Sequence, residues 1–138
     1  MQGNNKSLTD FPTMHRPDIQ SLASEHKKLL STMTLEQRDI YDRIMLCVAE
    51  NRGGLFFLYG YGGTSKTLIW RAISAAIRSK GEIVLTVASS GIAALLIPGG
   101  RTAHSRFIIP TNVDEDSTCN IKQDSPLAEL IIKSRLII

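Results

Sequence analysis

Helical spacing and short solid apolar runs alternate along the chain. After a polar, irregular stretch from Met1 to about Pro17, the segment Ile19 to Leu30 has only a weak helical period. The next segment is clearer. Thr34 followed by Gln37 has the spacing of a capping box, and Ile40, Tyr41, Ile44 and Val48 then recur on one helical face. This predicts a helix that Gly53-Gly54 stops. Leu55-Phe56-Phe57-Leu58-Tyr59 is continuously apolar and ends at glycine, as a strand covered on both faces does. A glycine-rich turn leads to a helix in which Ile69, Ala72, Ile73, Ala76 and Ile77 line one stripe, with Gly81 as its stop. Ile83-Val84-Leu85-Thr86-Val87-Ala88 reads as a second buried strand.

Strand, helix and strand of these lengths predict a right-handed βαβ unit with parallel strands, and so an α/β fold class. A further helix of small residues is expected from Gly91 to Leu96, broken by Pro98-Gly99-Gly100. Thr111 to Asp124 has no period and is long for a connector. Ser125-Pro126 has the cap-then-proline pattern of a helix start, with Leu127, Leu130 and Ile131 facing inward. Leu136-Ile137-Ile138 looks like the opening of a third buried strand.

Length and composition narrow the class. The 138 residues suit one modest domain, and 43% hydrophobic with 21% charged residues excludes collagen, low complexity and wholesale disorder. No apolar run approaches the ~18–20 residues of a membrane helix, so no bilayer span is expected. Lys6, Asp10, Arg16 and Asp18 occupy the first segment without an apolar stretch, so neither a secretory signal nor an organelle transit peptide is expected. Cys47 and Cys119 lie far apart in no metal spacing, which points to a reducing, intracellular setting. The net charge is +3, unevenly spread. Between Leu55 and Pro110, Lys66, Arg71, Arg78, Lys80, Arg101 and Arg106 face Glu82 alone, a block that favours an anionic partner or a solvated basic surface.

The sharpest chemistry lies between the first expected strand and its helix. Gly60-Tyr61-Gly62-Gly63-Thr64-Ser65-Lys66-Thr67 matches the phosphate-loop pattern G-x-x-x-x-G-K-[ST] except at Ser65, where glycine belongs. Glycines let the backbone curl until successive N–H groups face phosphate oxygens, and the following helix adds its positive end. In such a loop Lys66 reaches the β- and γ-phosphates and the Thr67 hydroxyl is a Mg²⁺ ligand. A side chain at Ser65 intrudes on ligand space, so weakened nucleotide affinity is expected.

Three blocks in order then carry a resemblance. Leu35-Glu36-Gln37-Arg38, the phosphate loop, and Val87 to Leu95 followed by Gly99-Gly100-Arg101-Thr102-Ala103-His104-Ser105 resemble the Pif-type (petite integration frequency) DNA helicases of superfamily 1. More narrowly, they are similar to the plant versions, some related to Helitron transposons. The resemblance runs from about Met33 to Ile138. It implies a partial P-loop NTPase (RecA-like) lobe at 33–138, behind a polar and mobile N-terminal segment at 1–32. It further implies ATP and Mg²⁺ as cofactors and 5′→3′ movement on single-stranded DNA, in repair, recombination and telomere maintenance in the nucleus or mitochondria. Position by position, Gln37 would hydrogen-bond the adenine edge, a role compatible with a solvent-facing capping box. Gly60, Gly62, Gly63, Thr64, Ser65, Lys66 and Thr67 would form the phosphate site. Ser89, Ser90 and Gly91 would touch the DNA backbone, and Thr102, His104 and Ser105 would lie near the DNA channel, although a histidine such as His104 is also common as a structural residue.

The family's strand at Leu136-Ile137-Ile138 should continue into an aspartate–glutamate pair that holds Mg²⁺ and orients water. That pair, the arginine finger and the second lobe are not among these residues, and Asp114-Glu115-Asp116 reads as a solvated acidic loop instead. The expectation is a helicase fragment that cannot turn over ATP alone. The alternatives are a non-catalytic remnant that binds single-stranded DNA weakly and without sequence preference, or another P-loop enzyme such as a small-molecule kinase. A kinase has no use for the Gln37, Ser89–Gly91 and Thr102–Ser105 blocks.

Overall fold

The computed structural model describes residues 18–60 and 64–138. In chain order the elements are α1 (Ile19–Thr32), α2 (Leu35–Ala49), α3 (Thr64–Ser79), β1 (Val84–Leu85), β2 (Val87–Ala88), α4 (Gly91–Ala94), β3 (Arg101–Thr102), α5 (Ala103–Phe107), α6 (Pro126–Lys133) and β4 (Leu136–Ile137). The chain divides after Glu82 into two compact units, one holding α1 to α3 and the other β1 to β4 with α4 to α6.

In the helical unit, α3 is the centre. Its expected stripe of Ile69, Ala72, Ile73, Ala76 and Ile77 is buried, and α1 and α2 both pack on the helix. Its end is a Schellman cap. Gly81 adopts φ +76°, its N–H donates to the Arg78 carbonyl at 2.9 Å, and the Glu82 N–H donates to Ile77 at 3.3 Å. At the start of α2 the expected capping box is complete. The Gln37 N–H donates to Thr34 Oγ1 at 3.2 Å and the Thr34 N–H donates to Gln37 Oε1 at 2.9 Å. This helix stops earlier than Gly53-Gly54, because Asn51 takes a left-handed turn at φ 55°.

The sequence reading of a mobile segment through residue 32 misses α1. Only Leu22 of α1 is buried, so a hydrophobic period has little to detect. Polar contacts hold the helix instead: Asp18 caps it, Arg71 of α3 donates to Glu25 at 2.8 Å, and His26 Nε2 lies 2.6 Å from Tyr41 Oη of α2.

The second correction is larger. Leu55–Tyr59 is not a strand; no strand of either sheet pairs with it, and Leu55, Phe57 and Tyr59 are exposed. A doubly covered parallel strand needs a hydrogen-bonding neighbour and cover for its faces, and its apolar composition cannot supply either. The expected βαβ unit beginning at Leu55 therefore does not form.

The strand-bearing unit is built around Ile83–Ala88, expected as one strand and observed as two short ones. Backbone hydrogen-bonding groups of alternate residues point to opposite edges of a strand. On one edge β1 runs parallel to β4, with Val84 opposite Leu136 and Leu85 opposite Ile137. Bonds from Arg135 N–H to Ile83, Ile138 N–H to Leu85 and Val87 N–H to Ile138 extend that pairing. On the other edge β2 runs parallel to β3, with Val87 opposite Arg101 and Ala88 opposite Thr102. Thr86 is the switch between them, its carbonyl accepting from the Arg101 N–H at 3.1 Å. The parallel pairing and the strand at Leu136 agree with the sequence reading; β3 and α5 were not expected. The core here is Ile83, Leu85 and Leu130 with Leu127 and Ile131 packed on it, so the inward face expected for α6 is the observed one. Ser125 caps that helix by accepting from the Ala128 N–H at 3.1 Å.

Between α4 and β3, Ile97-Pro98-Gly99-Gly100 makes a tight turn. Gly99 has φ +75°, and the Gly100 N–H donates to the Ile97 carbonyl at 2.9 Å. Gly100 cannot carry a side chain, since a Cβ would lie 2.2 Å from the Ala94 carbonyl oxygen and 2.9 Å from that of Ile97.

Candidate functional site

In the strand-bearing unit, folding brings two sequence blocks together. Ala88 and Thr102 are paired at the carboxyl ends of adjacent parallel strands, so Ser89-Ser90-Gly91 and Ala103-His104-Ser105 leave the sheet at the same edge. That edge is where open α/β sheets place ligands. Ser90 caps α4, its hydroxyl accepting from the Ala93 N–H at 3.2 Å. Thr102 caps α5 in the same way, accepting from the Ser105 N–H at 3.2 Å. Both hydroxyls thus have structural work that leaves their protons available to an acceptor. Ser89, Gly91, His104 and Ser105 are exposed. No carboxylate occurs between Glu82 and Asp114, so nothing acidic in the intervening sequence opposes an anion at this edge.

Arg106, which sequence reasoning treated only as part of the basic block, is buried at 7% exposure. Its Nε is sealed and unpartnered, as is the Thr86 hydroxyl. Burial, and then the neighbouring charge of Arg101, push the Arg106 guanidinium below the usual arginine range.

In the helical unit, Gln37 is the third residue of α2 and half-buried. Its Oε1 serves the capping box, and a carboxamide oxygen has a second lone pair while the NH₂ keeps two donors. Gly62 and Gly63, with Tyr61, lie outside the described residues, as do the side chains of Thr64 and Ser65; the backbones of Thr64 and Ser65 open α3. Lys66 and Thr67 complete the first turn. The Lys66 ammonium donates to the Gly60 carbonyl, so it spans the two ends of the phosphate-loop segment. The first turn of α3 contains no acidic residue. A lysine there, at the positive end of a helix and with no carboxylate in its turn, fits an anionic phosphate group. No contact links Gln37 to Lys66 among the described residues.

Sequence reasoning missed the α1–α2 junction. His26 hydrogen-bonds Tyr41, whose ring also carries the Arg38 guanidinium 5.6 Å from its centroid, and Arg38 pairs with Asp42 at 3.2 Å. Burial, then the charges of Arg38 and Lys80, lower the His26 pKa. A histidine and a tyrosine 15 residues apart give no pattern from which this pair could have been read. Among the described residues no group of three His, Cys, Asp or Glu side chains could hold a metal ion, and no helix is long and apolar enough to cross a membrane.

Short parallel strands with ligand-facing turns at their carboxyl ends, and a phosphate-loop sequence leading into a helix, define an α/β protein of nucleotide-handling type. A PIF1-like helicase family profile matches residues 32–138, most of the chain. The chain belongs to the PIF1-like helicase family. Membership brings ATP and Mg²⁺ use and single-stranded DNA interaction at the level of the family. No curated protein matches the sequence.

Proposed function

We propose that the chain carries the nucleotide- and DNA-contacting residues of a RecA-like helicase lobe, of the plant, Helitron-related type, whose relatives move 5′→3′ along single-stranded DNA. The observation that carries this reading is the pairing of Ala88 with Thr102, which gathers Ser89–Gly91 and Thr102–Ser105 at one sheet edge in a chain the helicase family matches. Small hydroxyls and exposed backbone at strand ends suit a sugar–phosphate chain, and such contacts position DNA without reading its bases.

On the nucleotide side, Lys66 would exchange the Gly60 carbonyl for phosphate oxygens, and the Thr67 hydroxyl would hold Mg²⁺. Gln37 would read the adenine edge through its NH₂ group and remaining lone pair while still capping α2. ATP supplies, when bound, the free energy for movement of the complete family enzyme. These 138 residues alone offer no aspartate–glutamate pair after β4, so a polypeptide of this sequence binds without turnover. The second reading, a single-stranded DNA-binding remnant, rests on the same sheet edge and needs no nucleotide. At family level the work is DNA repair, recombination and telomere maintenance, in the nucleus or mitochondria.

Calorimetry on the parent, Ser65→Gly and Lys66→Ala tests the nucleotide half. Ser65→Gly should strengthen Mg²⁺-ATP binding by about 1–3 kcal/mol, by clearing phosphate space and freeing an N–H. Lys66→Ala in that background should abolish the gain, and phosphate release should stay at background throughout. Equal ATP affinity in parent and glycine variant would remove Ser65 as the defect; clear turnover would overturn the incomplete-site reading. If only DNA binds, the remnant reading stands.

A further inference from the structure

Arg106 is the one arginine of the strand-bearing unit that is buried, and it has been put there without an anion. The five carboxylates of that unit, Asp114, Glu115, Asp116, Asp124 and Glu129, form no ion pair with it among the described residues. Asp114 is occupied locally, accepting from the Asp116 N–H and the Ser117 hydroxyl. A buried guanidinium with an unpartnered Nε is costly, and an oxyanion in bidentate contact offsets that cost. Arg101 makes the case stronger. It is exposed, it sits at the start of β3, and its charge is felt at Arg106, so two like charges converge where no carboxylate separates them. Thr86, whose carbonyl accepts from Arg101, adds a second sealed and unpartnered donor in its hydroxyl.

We propose that Arg106, with Arg101 beside it, seats one backbone phosphate of single-stranded DNA at the β3–α5 corner. This rests on the DNA half of the function proposed above and deepens it. α5 is a single short helix that also carries His104 and Ser105 on its exposed side and begins at the Thr102 cap. A strand of DNA lying along the Ser89–Gly91 and His104–Ser105 edge therefore passes the corner that Arg101 and Arg106 share. The guanidinium fork suits a phosphate better than an ammonium does, because two parallel N–H donors meet two oxygens.

The test is fluorescence anisotropy of the full chain with a labelled oligothymidine across a salt series. Arg106→Met keeps the volume of the aliphatic stem and removes the fork. It should weaken binding about tenfold or more, the scale of hydrogen bonds to a charged group, and should lower the salt slope by about 0.7 for the lost phosphate. Arg106→Lys should fall between the two, since charge remains and the fork is gone. Unchanged affinity and slope in a folded Arg106→Met, with the parent binding well, would overturn the phosphate seat and leave the DNA reading intact. No binding by the parent would overturn both. Circular dichroism reports whether Arg106→Met is folded. If it is not, the exposed Arg101→Gln decides: a lowered slope supports the seat, and the parent's slope overturns it.

Discussion

The two halves of this chain keep their folds by different means. The helical unit buries nearly one whole helix: Ile69, Ala72, Ile73, Ala75, Ala76 and Ile77 of α3 are all at 3% exposure or less. Its helix ends are closed by a capping box and a Schellman cap, and ion pairs Arg38–Asp42, Arg43–Asp39 and Arg71–Glu25 decorate its surface. The strand-bearing unit buries only a small cluster about Ile83, Leu85 and Leu130. Its strands are two residues long, and Ile92, Leu95, Leu96 and Ile132 remain exposed. The DNA-facing residues belong to this second half. Binding surfaces are commonly drawn from the less stable parts of a protein, because exposed strand ends and short turns cannot also be core. The first half supplies rigidity in a helix whose opening turn carries Lys66 and Thr67.

The contrast can be broken in several places. Ile73→Ala, at a position with no exposure, should cost about 2–5 kcal/mol in urea unfolding. The fluorescence of Trp70, the only tryptophan and a residue of α3, should report the loss directly. A cost under about 1 kcal/mol would mean that α3 is not the centre of the helical unit.

The strand-bearing unit should fail at a backbone position instead of a large side chain. Gly100→Ala places a Cβ against two carbonyl oxygens that belong to the chain itself, so relief requires moving the Ile97–Gly100 turn. A cost of about 3 kcal/mol is expected, the upper range of overpacking, with the Trp70 transition affected less than in Ile73→Ala. Wild-type stability in this variant would contradict the close approach.

A smaller effect sharpens the account of the helix ends. Thr34→Ala removes the acceptor for the Gln37 N–H and should cost about 1 kcal/mol by thermal or urea unfolding. The same substitution releases the Gln37 carboxamide, so a change in ATP affinity would reveal that capping holds Gln37 in place for the nucleotide.

The smallest effect is one of pH. Burial, with Arg38 and Lys80 nearby, lowers the His26 pKa in the folded state below its ordinary value of 6.5. Below that value the unfolded chain takes up the proton first and gains stability relative to the fold. The contribution of neutral His26 is therefore complete above about pH 6.5 and declines as the pH falls toward the depressed folded pKa. Unfolding midpoints measured from pH 7.5 to 5 should fall for the parent, and the part due to His26 should vanish in His26→Gln. Identical pH profiles would show that the His26–Tyr41 contact does not influence folding.

Local patterns were legible wherever a short stretch of sequence contains both the cause and the effect. The Thr34–Gln37 box, the Gly81 stop, the α3 stripe, and the proline-started α6 with Leu127, Leu130 and Ile131 turned inward could all be read, because each depends on neighbours within a few residues. The motif blocks were legible for the same reason, and the PIF1-like helicase match agrees with them. Tertiary structure alone decided the remainder. Leu55–Tyr59 has strand composition without strand structure, since a strand is a relation between two segments and no composition can supply the second. Ile83–Ala88 divides at Thr86 because its alternate residues answer to different partners, Leu136–Ile138 and Arg101–Thr102, which lie far away in sequence. The helix α1 is held by Glu25 and His26 reaching to other helices, contacts that carry no periodicity. The burial of Arg106 belongs with these. Its charge is written in the sequence, but the loss of water and the lack of a counter-ion around it exist only once the chain has folded.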